Sequence, residues 1–352
     1  MTMSADRRLV PVVRLAPAKV NLTLAVVGRR PDGYHALHSV FVPVDLADRL
    51  ALAAGSPHAP DSLHVTGLDA GPVEDNLVLR AMAATREAAR GPWIASGGRG
   101  EPPPLAARLE KRIPVAAGLG GGSSDAAAAI DGALEAWGVE LDAEVRAGIA
   151  ARLGSDVPFF LGGGPALVEG RGERVTRLPW LRGASPADDH GGPPERPALL
   201  LVTPGVAVPT PAVFAAYAAG ARVIGGAARL ASEHLAQELR TGLSVPDLLV
   251  RASVLAAAND LAPAATAVAP GLIAFKRALI RLVGRPIGLS GSGPTHWALY
   301  PSHAEADAAA ALVRGAVAAG DLPEPGDRPT LVAAVRIIPG TSGHHAAEGG
   351  QR

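Results

Sequence analysis

The sequence predicts a soluble globular protein of two domains that mix strands and helices. A chain of 352 residues is longer than one hydrophobic core usually supports, so two domains are expected. Hydrophobic residues make up 48% of the chain and charged residues 19%, which is ordinary for a protein with ample core material. The predicted strands and helices alternate, but without the even spacing of a doubly wound sheet or a barrel. The fold class is therefore mixed, and neither of those two regular architectures is expected.

The first half of the chain begins with strands and continues with helices. Strands are predicted over residues 10–15, 20–27 and within 41–52, and helices over residues 76–90, from Ser123 or Ser124 to Trp137, and near 142–153. The turn Pro31-Asp-Gly-Tyr-His35 separates the last two strands. Asp75 is the expected N-cap of the first helix, and Gly91-Pro92 its expected end.

A second unit is predicted to begin with an apolar strand at residues 198–203. Its remaining elements are helices over residues 211–219, 227–239, 271–283 and 304–317, strands on both sides of residues 291–293, and a last strand over 331–338. Residues 182–197 are polar, rich in Pro and Gly, and aperiodic, so we expect a flexible insertion or linker. The predicted division is therefore residues 1–181, this linker, residues 198–340, and a disordered tail over 341–352.

Composition excludes several functional classes. Thirty-three basic residues balance thirty-three acidic ones, so broad electrostatic binding of nucleic acid or of an anionic membrane is not expected. The absence of cysteine excludes disulfides, thiolate nucleophiles and cysteine metal sites. No apolar run approaches 18 residues and no signal peptide is evident, so we expect a cytoplasmic protein without a membrane span.

The most informative segment runs from Pro114 through three consecutive glycines to Ser123-Ser124-Asp125. Glycines let a phosphate approach the backbone, and a helix that starts here directs its unpaired N–H groups and positive dipole end at the loop. The spacing differs from the P-loop, and no lysine follows the glycines. A Gly/Ser linker is the alternative, but an apolar segment precedes the loop and a helix ending at Gly138 follows it. The segment therefore predicts an anion-binding loop.

Two charged residues are candidates for chemistry. Lys19 is one of only three lysines among the basic residues, and it enters a predicted strand with apolar neighbours. Asp156 precedes the apolar run Val-Pro-Phe-Phe, where a general base or a cation partner would be useful. Taken alone, Lys19 is equally compatible with a structural lysine, and an aspartate placed as Asp156 is more often a helix or turn cap.

Two other catalytic patterns fail on spacing. The stretch Gly288-Leu-Ser-Gly-Ser292 has serine where a Gly-x-Ser-x-Gly nucleophile elbow needs its last glycine, so no serine hydrolase is implied. His35 and His38 lack a third ligand at a suitable spacing, and no metal ligands are identified.

Three ordered motifs resemble those of the GHMP small-molecule kinases. They are Pro17-Ala-Lys-Val-Asn-Leu, the glycine-rich segment from Pro114 to Ala126, and Leu289-Ser-Gly-Ser-Gly-Pro-Thr. The resemblance covers residues 14 to 340 and implies a two-domain α+β fold with the active site in the cleft between the domains. It also implies a left-handed β-α-β crossover, contrary to the general rule. Trp297 is bulkier than this pattern leads us to expect and bears on the shape of the cleft.

The resemblance also implies roles for individual residues. Asp156 would take the proton from the acceptor hydroxyl, and Lys19 would orient that hydroxyl and stabilise negative charge. ATP would be bound by Lys111, Pro114, Val115, Ala116, Ala117, Gly118, Leu119, Gly120, Gly121, Gly122, Ser123 and Ser124. The acceptor would be bound by Asn21, Tyr34, His35, Thr210, Phe214, Gly291, Ser292 and Gly293.

Four further strings are similar to one branch of the family. They are Asp32-Gly-Tyr-His, Asp75-Asn-Leu-Val, Leu153-Gly-Ser-Asp-Val-Pro-Phe-Phe and Pro209-Thr-Pro. This similarity implies phosphorylation by ATP, with Mg²⁺, of the C2 hydroxyl of a methylerythritol unit that carries a cytidine diphosphate group, in the non-mevalonate route to isoprenoid precursors. Tyr34 and Phe214 would sandwich the cytosine while His35 reads its edge.

Two alternatives stay open. Another GHMP kinase would keep the ATP loop but not the strings around Tyr34 and Thr210. An inactive nucleotide-binding protein would be expected to have lost Lys19 or Asp156, and both are present. The expected partner is a small-molecule substrate, with no nucleic acid and no membrane, and the protein is expected to be a monomer or a homodimer.

Overall fold

The computed structural model describes residues 11–56, 59–182, 196–220 and 226–340. Its first unit contains, in order, β1 Val12–Asn21, β2 Ala25–Arg29, β3 His35–Ala54, β4 Ser62–Gly67, α1 Leu77–Ala95, β5 Leu105–Lys111, α2 Gly121–Trp137, α3 Ala143–Leu153, α4 Val157–Phe160, β6 Ala166–Gly170 and β7 Arg174–Arg177. Its second unit contains β8 Ala198–Gly205, α5 Thr210–Ala219, α6 Gly226–Thr241, α7 Val245–Val250, α8 Ala252–Ala257, α9 Ala262–Val268, α10 Gly271–Val283, β9 Gly288–Leu289, β10 His296–Tyr300, α11 His303–Ala319 and β11 Arg328–Arg336.

The first sheet is built around β3, which is 20 residues long. Its strands follow the order β4-β5-β3-β6-β7, and β1 and β2 also pair with β3. β4 and β5 are parallel, with α1 in the connection between them. The register of β1 against β3 shifts between Pro17 and Ala18, where proline has no N–H to donate to the ladder. Beyond this shift Lys19 and Asn21, two residues apart, lie on the same face of the strand.

Helix α2 packs closely on the first sheet because its inner face carries small side chains. Ala126, Ala129 and Ala133 are fully buried, and a Cβ at Gly132 would lie 2.7 Å from a methyl carbon of Leu52. The helix ends at Gly138, whose φ of +62° is the left-handed conformation that favours glycine at a C-cap. This packing fixes the position of the start of α2 against the sheet.

The second sheet has the order β11-β8-β10-β9, and each neighbouring pair is antiparallel. Helices α10 and α11 cover one of its faces, where Phe275 and Val313 are buried. Its other face shares one hydrophobic cluster with the first sheet, in which Leu201 and Trp297 pack with Val20 and Val42. The fold is therefore α+β with two domains, as predicted, and the two sheets meet in a common core.

Several predicted elements need correction. The strands expected over residues 10–15 and 20–27 are instead β1, which continues through Pro17, and β2. Helix α1 is capped by Asn76 and not by Asp75, because the Asn76 Oδ1 accepts the Val78 N–H at 3.0 Å. The helix also continues past Gly91-Pro92, since the buried Trp93 holds its last turn against the core. Tertiary packing here outweighs the local stop signal.

The helices expected over residues 142–153 and 271–283 are present as α3 and α10. Residues 183–195 and the tail 341–352 lie outside the described residues, so the linker, the tail and the domain limits stay predictions. Among the described helices, none is both long and apolar enough to cross a membrane.

Candidate active site

The glycine-rich segment forms a loop between β5 and α2. Gly118 and Gly120 have φ values of +75° and +70°, a conformation that favours glycine. A Cβ at Gly118 would lie 2.2 Å from the carbonyl oxygen of Ser290, so this glycine allows the loop to touch the second domain. Ala116 also has a positive φ of 55°, although it carries a side chain. Such strain is found where a loop is held for function.

Helix α2 begins at Gly121, and not at Ser123 or Ser124 as expected. The N–H groups of the first residues of a helix have no carbonyl of that helix to bond, so those of Gly121, Gly122 and Ser123 are available to a ligand. Gly122 has open space at its Cβ position, where the nearest atom is a methyl carbon of Leu77 at 3.9 Å. The loop therefore has the geometry of an anion site at a helix N-terminus.

A cavity of about 390 Å³ lies in front of this loop, between the two domains. Its walls include ten of the twelve residues expected to bind ATP, namely Lys111, Pro114, Val115, Ala116, Ala117, Gly118, Gly120, Gly121, Gly122 and Ser123. The other two do not line it: Leu119 is part of the hydrophobic core, and Ser124 is buried with an unpartnered hydroxyl oxygen. Its volume lies in the range of small-molecule sites, and the start of α2 supplies backbone N–H donors at its wall.

Lys111 lies at the side of this cavity in a buried ionic cluster. Its ammonium group pairs with the carboxylate of Asp48 and, at 2.7 Å, with that of Asp125. Asp48 also accepts the backbone N–H groups of Arg112 and Ile113, so the cluster fastens the start of the loop to β3. Burial raises the pKa of the Asp125 carboxyl to about 7; Lys111 opposes this rise and Asp48 adds to it. The charge of Lys111 is therefore already compensated within this cluster.

Lys19 and Asp156 meet at the floor of the cleft. The Lys19 Nζ lies 3.6 Å from Asp156 Oδ2 and donates hydrogen bonds to Asn21 Oδ1 at 2.6 Å and to the Gly118 carbonyl at 3.0 Å. The Lys19 side chain is 5% exposed and that of Asp156 is 31% exposed. Burial lowers the pKa of the Lys19 ammonium, and the charge of Asp156 opposes this shift. The pair joins a fixed cation to a carboxylate that solvent and ligands can reach.

Asp156 stands at the N-terminus of α4, but it does not cap that helix. No cap hydrogen bond joins its side chain to the α4 backbone. The explanation of Asp156 as a mere cap is therefore not supported. Asp156 instead lines the cavity in front of the glycine-rich loop and a second cavity next to it.

The second cavity has a volume of about 690 Å³. It contains Tyr34, His35 and Phe214, which the sequence predicted would meet, and these residues come from both domains. The His35 ring stacks on Phe214 with ring centroids 5.3 Å apart, while the Arg171 guanidinium lies 5.3 Å from the centre of the Tyr34 ring. His35 thus covers one face of Phe214, an arrangement that the expected sandwich of Tyr34 and Phe214 did not include.

The loop after β9 closes the cleft from the second domain. Gly291 and Ser292 line the cavity in front of the glycine-rich loop, whereas Gly293 lines neither cavity. The Ser292 hydroxyl lies 2.9 Å from that of Thr210, a residue that lines both cavities. Asn259 donates hydrogen bonds from its amide to the carbonyls of Leu289 and Gly291, and so holds this loop in place.

Trp297 lies away from the cleft, so its size does not alter the shape of the cleft. Its side chain is buried in the core shared by the sheets and lines neither of the two cavities. A Cβ at Gly288 would lie 2.3 Å from the Trp297 ring, so the neighbouring strand accommodates the large ring by carrying glycine.

Sequence reasoning missed several residues that hold the site. Ser290 donates its hydroxyl to the Gly118 carbonyl at 2.9 Å and accepts the Asn21 N–H at 3.2 Å, and so links the two domains beside Lys19. Asp48, Asn259 and Arg171 were also missed. Asp48 alone offered a signal, because it is a charged residue inside a predicted strand. Within the described ranges no group of three or more His, Asp or Glu side chains could hold a metal ion.

Comparisons with known proteins identify the family of the chain. A family model of the GHMP kinase N-terminal domain matches residues 76–164. A 4-diphosphocytidyl-2-C-methyl-D-erythritol kinase from Methylorubrum extorquens is 40% identical over 306 residues, which are 86% of this chain and 94% of that protein. One from Symbiobacterium thermophilum is 48% identical over 177 residues, which are 48% of this chain and 57% of that protein.

A solved structure gives the same result. The crystal structure of a 4-(cytidine 5'-diphospho)-2C-methyl-D-erythritol kinase is similar with a TM-score of 0.61 and 32% sequence identity, and the match covers 92% of this chain and 99% of that one. The sequence relatives and this structure agree over most of the chain. The chain therefore belongs to the 4-diphosphocytidyl-2-C-methyl-D-erythritol kinases, a family of GHMP kinases.

Proposed function

We propose that the protein transfers the terminal phosphoryl group of ATP to the C2 hydroxyl of 4-diphosphocytidyl-2-C-methyl-D-erythritol, a step in non-mevalonate isoprenoid precursor synthesis. The observation that carries this proposal is that Asp156 lines both cavities and lies 3.6 Å from the Lys19 ammonium. A donor in one cavity and an acceptor in the other would bring the γ-phosphorus and the hydroxyl together at this pair.

ATP is the proposed occupant of the cavity in front of the glycine-rich loop. The N–H groups of Gly121, Gly122 and Ser123 would bind its phosphates, because no helical carbonyl competes for them. Lys111 is buried between two carboxylates, so it would contribute shape and loop position more than net positive charge. Because Lys111 lines the cavity, its side chain would also contact the nucleotide.

The chemical step needs one proton acceptor and a stabilised transition state. The acceptor oxygen would attack the γ-phosphorus as its proton passes to the Asp156 carboxylate and ADP leaves. The Lys19 ammonium is held by Asn21 and the Gly118 carbonyl, so it would face the developing charge without having to reorganise. Positioning and electrostatics supply most of the catalysis in phosphoryl transfer.

The cytidine group is the proposed occupant of the larger cavity. Tyr34 and Phe214 would stack on the cytosine ring, and His35 would read its edge after giving up its contact with Phe214. The diphosphate would lie toward Thr210, Ser292 and Gly291, which meet at the junction of the two cavities. Asn21 lines the cavity in front of the glycine-rich loop and would contact the acceptor there, and Gly293, which lines neither cavity, would support the loop from behind.

Magnesium would enter with ATP. Mg²⁺ keeps several waters and is usually held by substrate phosphates with one or two protein ligands. This agrees with the lack of a three-residue acidic cluster within the described ranges. The Ser123 hydroxyl lines both cavities and is the proposed protein ligand. When bound, the ion would neutralise charge on the phosphates.

The cytoplasm is the proposed location of the protein, because the reaction needs ATP.

A coupled assay of ADP release over a panel of acceptors tests the proposal. We expect turnover with the diphosphocytidyl acceptor, and only background rates with mevalonate, homoserine or galactose. Equal rates with one of these alcohols would favour another GHMP kinase. Thermal stabilisation by ATP without turnover of any acceptor would favour an inactive nucleotide-binding protein.

A further inference from the structure

We propose that the β6–β7 turn, residues 171–173, is a positioning element that fixes the ring of Tyr34 relative to the loop carrying Asp156. This inference rests on the proposed function, since it concerns how the cytidine-bearing acceptor is placed against the general base. Three contacts of the turn carry it: one to the Tyr34 ring, one to the Tyr34 backbone through an ion pair, and one to Ser155.

The first contact is between a cation and an aromatic ring. Tyr34 is 55% exposed and lies on the turn between β2 and β3, where an unsupported side chain would be free to change rotamer. The Arg171 guanidinium carbon lies 5.3 Å from the centre of its ring, within the range of a cation–π interaction. Arg171 is itself anchored, because its Nη2 donates to the Ala151 carbonyl at 3.0 Å.

The second contact joins the two turns by charged groups. Glu173 accepts a hydrogen bond from the Arg171 backbone N–H at 2.6 Å and pairs with Arg30 at 3.3 Å. Arg30 also pairs with Asp32 at 3.0 Å, and Asp32 accepts the Tyr34 N–H at 3.2 Å. The chain of contacts therefore begins at the Tyr34 ring and returns to the Tyr34 backbone.

The third contact reaches the catalytic loop. Gly172 has a φ of +131°, and a Cβ built on it would lie 2.3 Å from the carbonyl oxygen of Ser155. The turn thus packs directly on the residue before Asp156. Because one rigid turn touches both the stacking ring and this loop, it sets their separation. A platform held in its binding position avoids the entropic cost of ordering the ring when the base binds.

The test is the substitution Arg171→Gln, which removes the charge and keeps a polar side chain. An exposed cation–π contact predicts that the acceptor KM and the Kd of cytidine 5'-diphosphate rise about two- to five-fold. We expect kcat and the KM for ATP to stay within about twofold of the wild-type values, because Arg171 lines the acceptor cavity only. Arg171→Lys keeps the charge and should lie between the wild type and Arg171→Gln.

Arg174→Gln is the matched control. Arg174 belongs to the same hairpin, its side chain is 66% exposed, and it pairs with Glu169 outside both cavities. An Arg171→Gln protein with native melting temperature and native acceptor KM would overturn the proposal. Tighter binding of the acceptor by Arg171→Gln would also overturn it, because it would mean that the guanidinium occupies the place of the cytosine base. A wild-type protein that did not phosphorylate the acceptor would instead contradict the proposed function.

Discussion

Replacing Asp156 by asparagine should separate catalysis from binding. The amide keeps the shape of the carboxylate but cannot accept the proton of the acceptor hydroxyl. Lys19 keeps its bonds to Asn21 and the Gly118 carbonyl, so its contribution to the transition state remains. The loss is then that of a general base, about 10²- to 10⁴-fold in kcat, or about 2.7 to 5.5 kcal/mol in the barrier.

The same substitution should change stability only slightly. Two unit charges 3.6 Å apart interact by roughly 4 to 5 kcal/mol at an effective dielectric constant of about 20. Asp156 is 31% exposed, however, and solvent screening and the cost of desolvating Lys19 offset most of this attraction. A net loss of about 1 kcal/mol corresponds to a fall in Tm of about 1 to 2 °C for a chain of this size.

Steady-state kinetics and a thermal melt measure both quantities on one preparation. Asp307→Asn is the control, since Asp307 forms a surface ion pair on α11 and lines neither cavity. We expect KM values for both substrates to stay within about threefold of the wild-type values. A kcat within tenfold of the wild-type value would remove Asp156 from the role of base and refute the reasoning.

Three further predictions concern the two cavities and the core. Gly122→Val should keep the native Tm, because a Cβ at this position would meet only Leu77, at 3.9 Å. Calorimetry should show ATP affinity falling about 10- to 100-fold as phosphate contacts are lost, and native ATP affinity would contradict the proposed role of the loop. Tyr34→Ala should cost about 1 to 3 kcal/mol in acceptor affinity and leave ATP affinity unchanged in titrations, and equal losses for both ligands would contradict separate cavities. Burial lowers the pKa of His296 in the folded protein to about 3, whereas the pKa of a histidine in the unfolded chain is about 6.5. Above a pH of about 6.5 the side chain is neutral in both states, so its ionisation does not change the stability. Below a pH of about 6.5 His296 takes up a proton only in the unfolded chain, so the stability of the fold falls. Between pH 7 and 5 the free energy of unfolding should therefore fall by about 2 kcal/mol more in the wild type than in His296→Gln, as measured by urea titrations. Equal pH dependence of the two proteins would contradict this prediction.

The parts of the site that were predicted are those encoded in a short stretch of sequence. Glycines, serines and a helix with a glycine end define the glycine-rich loop locally, so the loop and α2 were predicted. The start of α2 was misplaced by two or three residues, because Gly121 and Gly122 are poor helix formers and only packing against Ile113 and the sheet makes them helical. Asp156 was identified from its position before an apolar run.

The contacts that were missed join residues that are far apart in sequence. Asn21 and Ser290 are separated by 269 positions, and nothing in either segment indicates that they bond. The cluster of Lys111, Asp48 and Asp125 likewise depends on the register of β3 against β5. The short helices α7 to α9 were not predicted, since six or seven residues are too few to show a helical period. Trp297 shows the same limit: its size was evident, but which face of β10 it occupies was not.

The most direct test of the central claim is the identity of the phosphorylated product. The acceptor, labelled with ¹³C at C2 of the methylerythritol unit, is incubated with ATP and the wild-type protein and followed by ¹³C and ³¹P NMR. We expect one new phosphomonoester signal and a C2 resonance split by coupling to phosphorus, with one ADP formed per product. Phosphate attached to a different hydroxyl, or ADP formed without any phosphorylated acceptor, would contradict a site in which Asp156 and Lys19 direct the C2 hydroxyl to ATP.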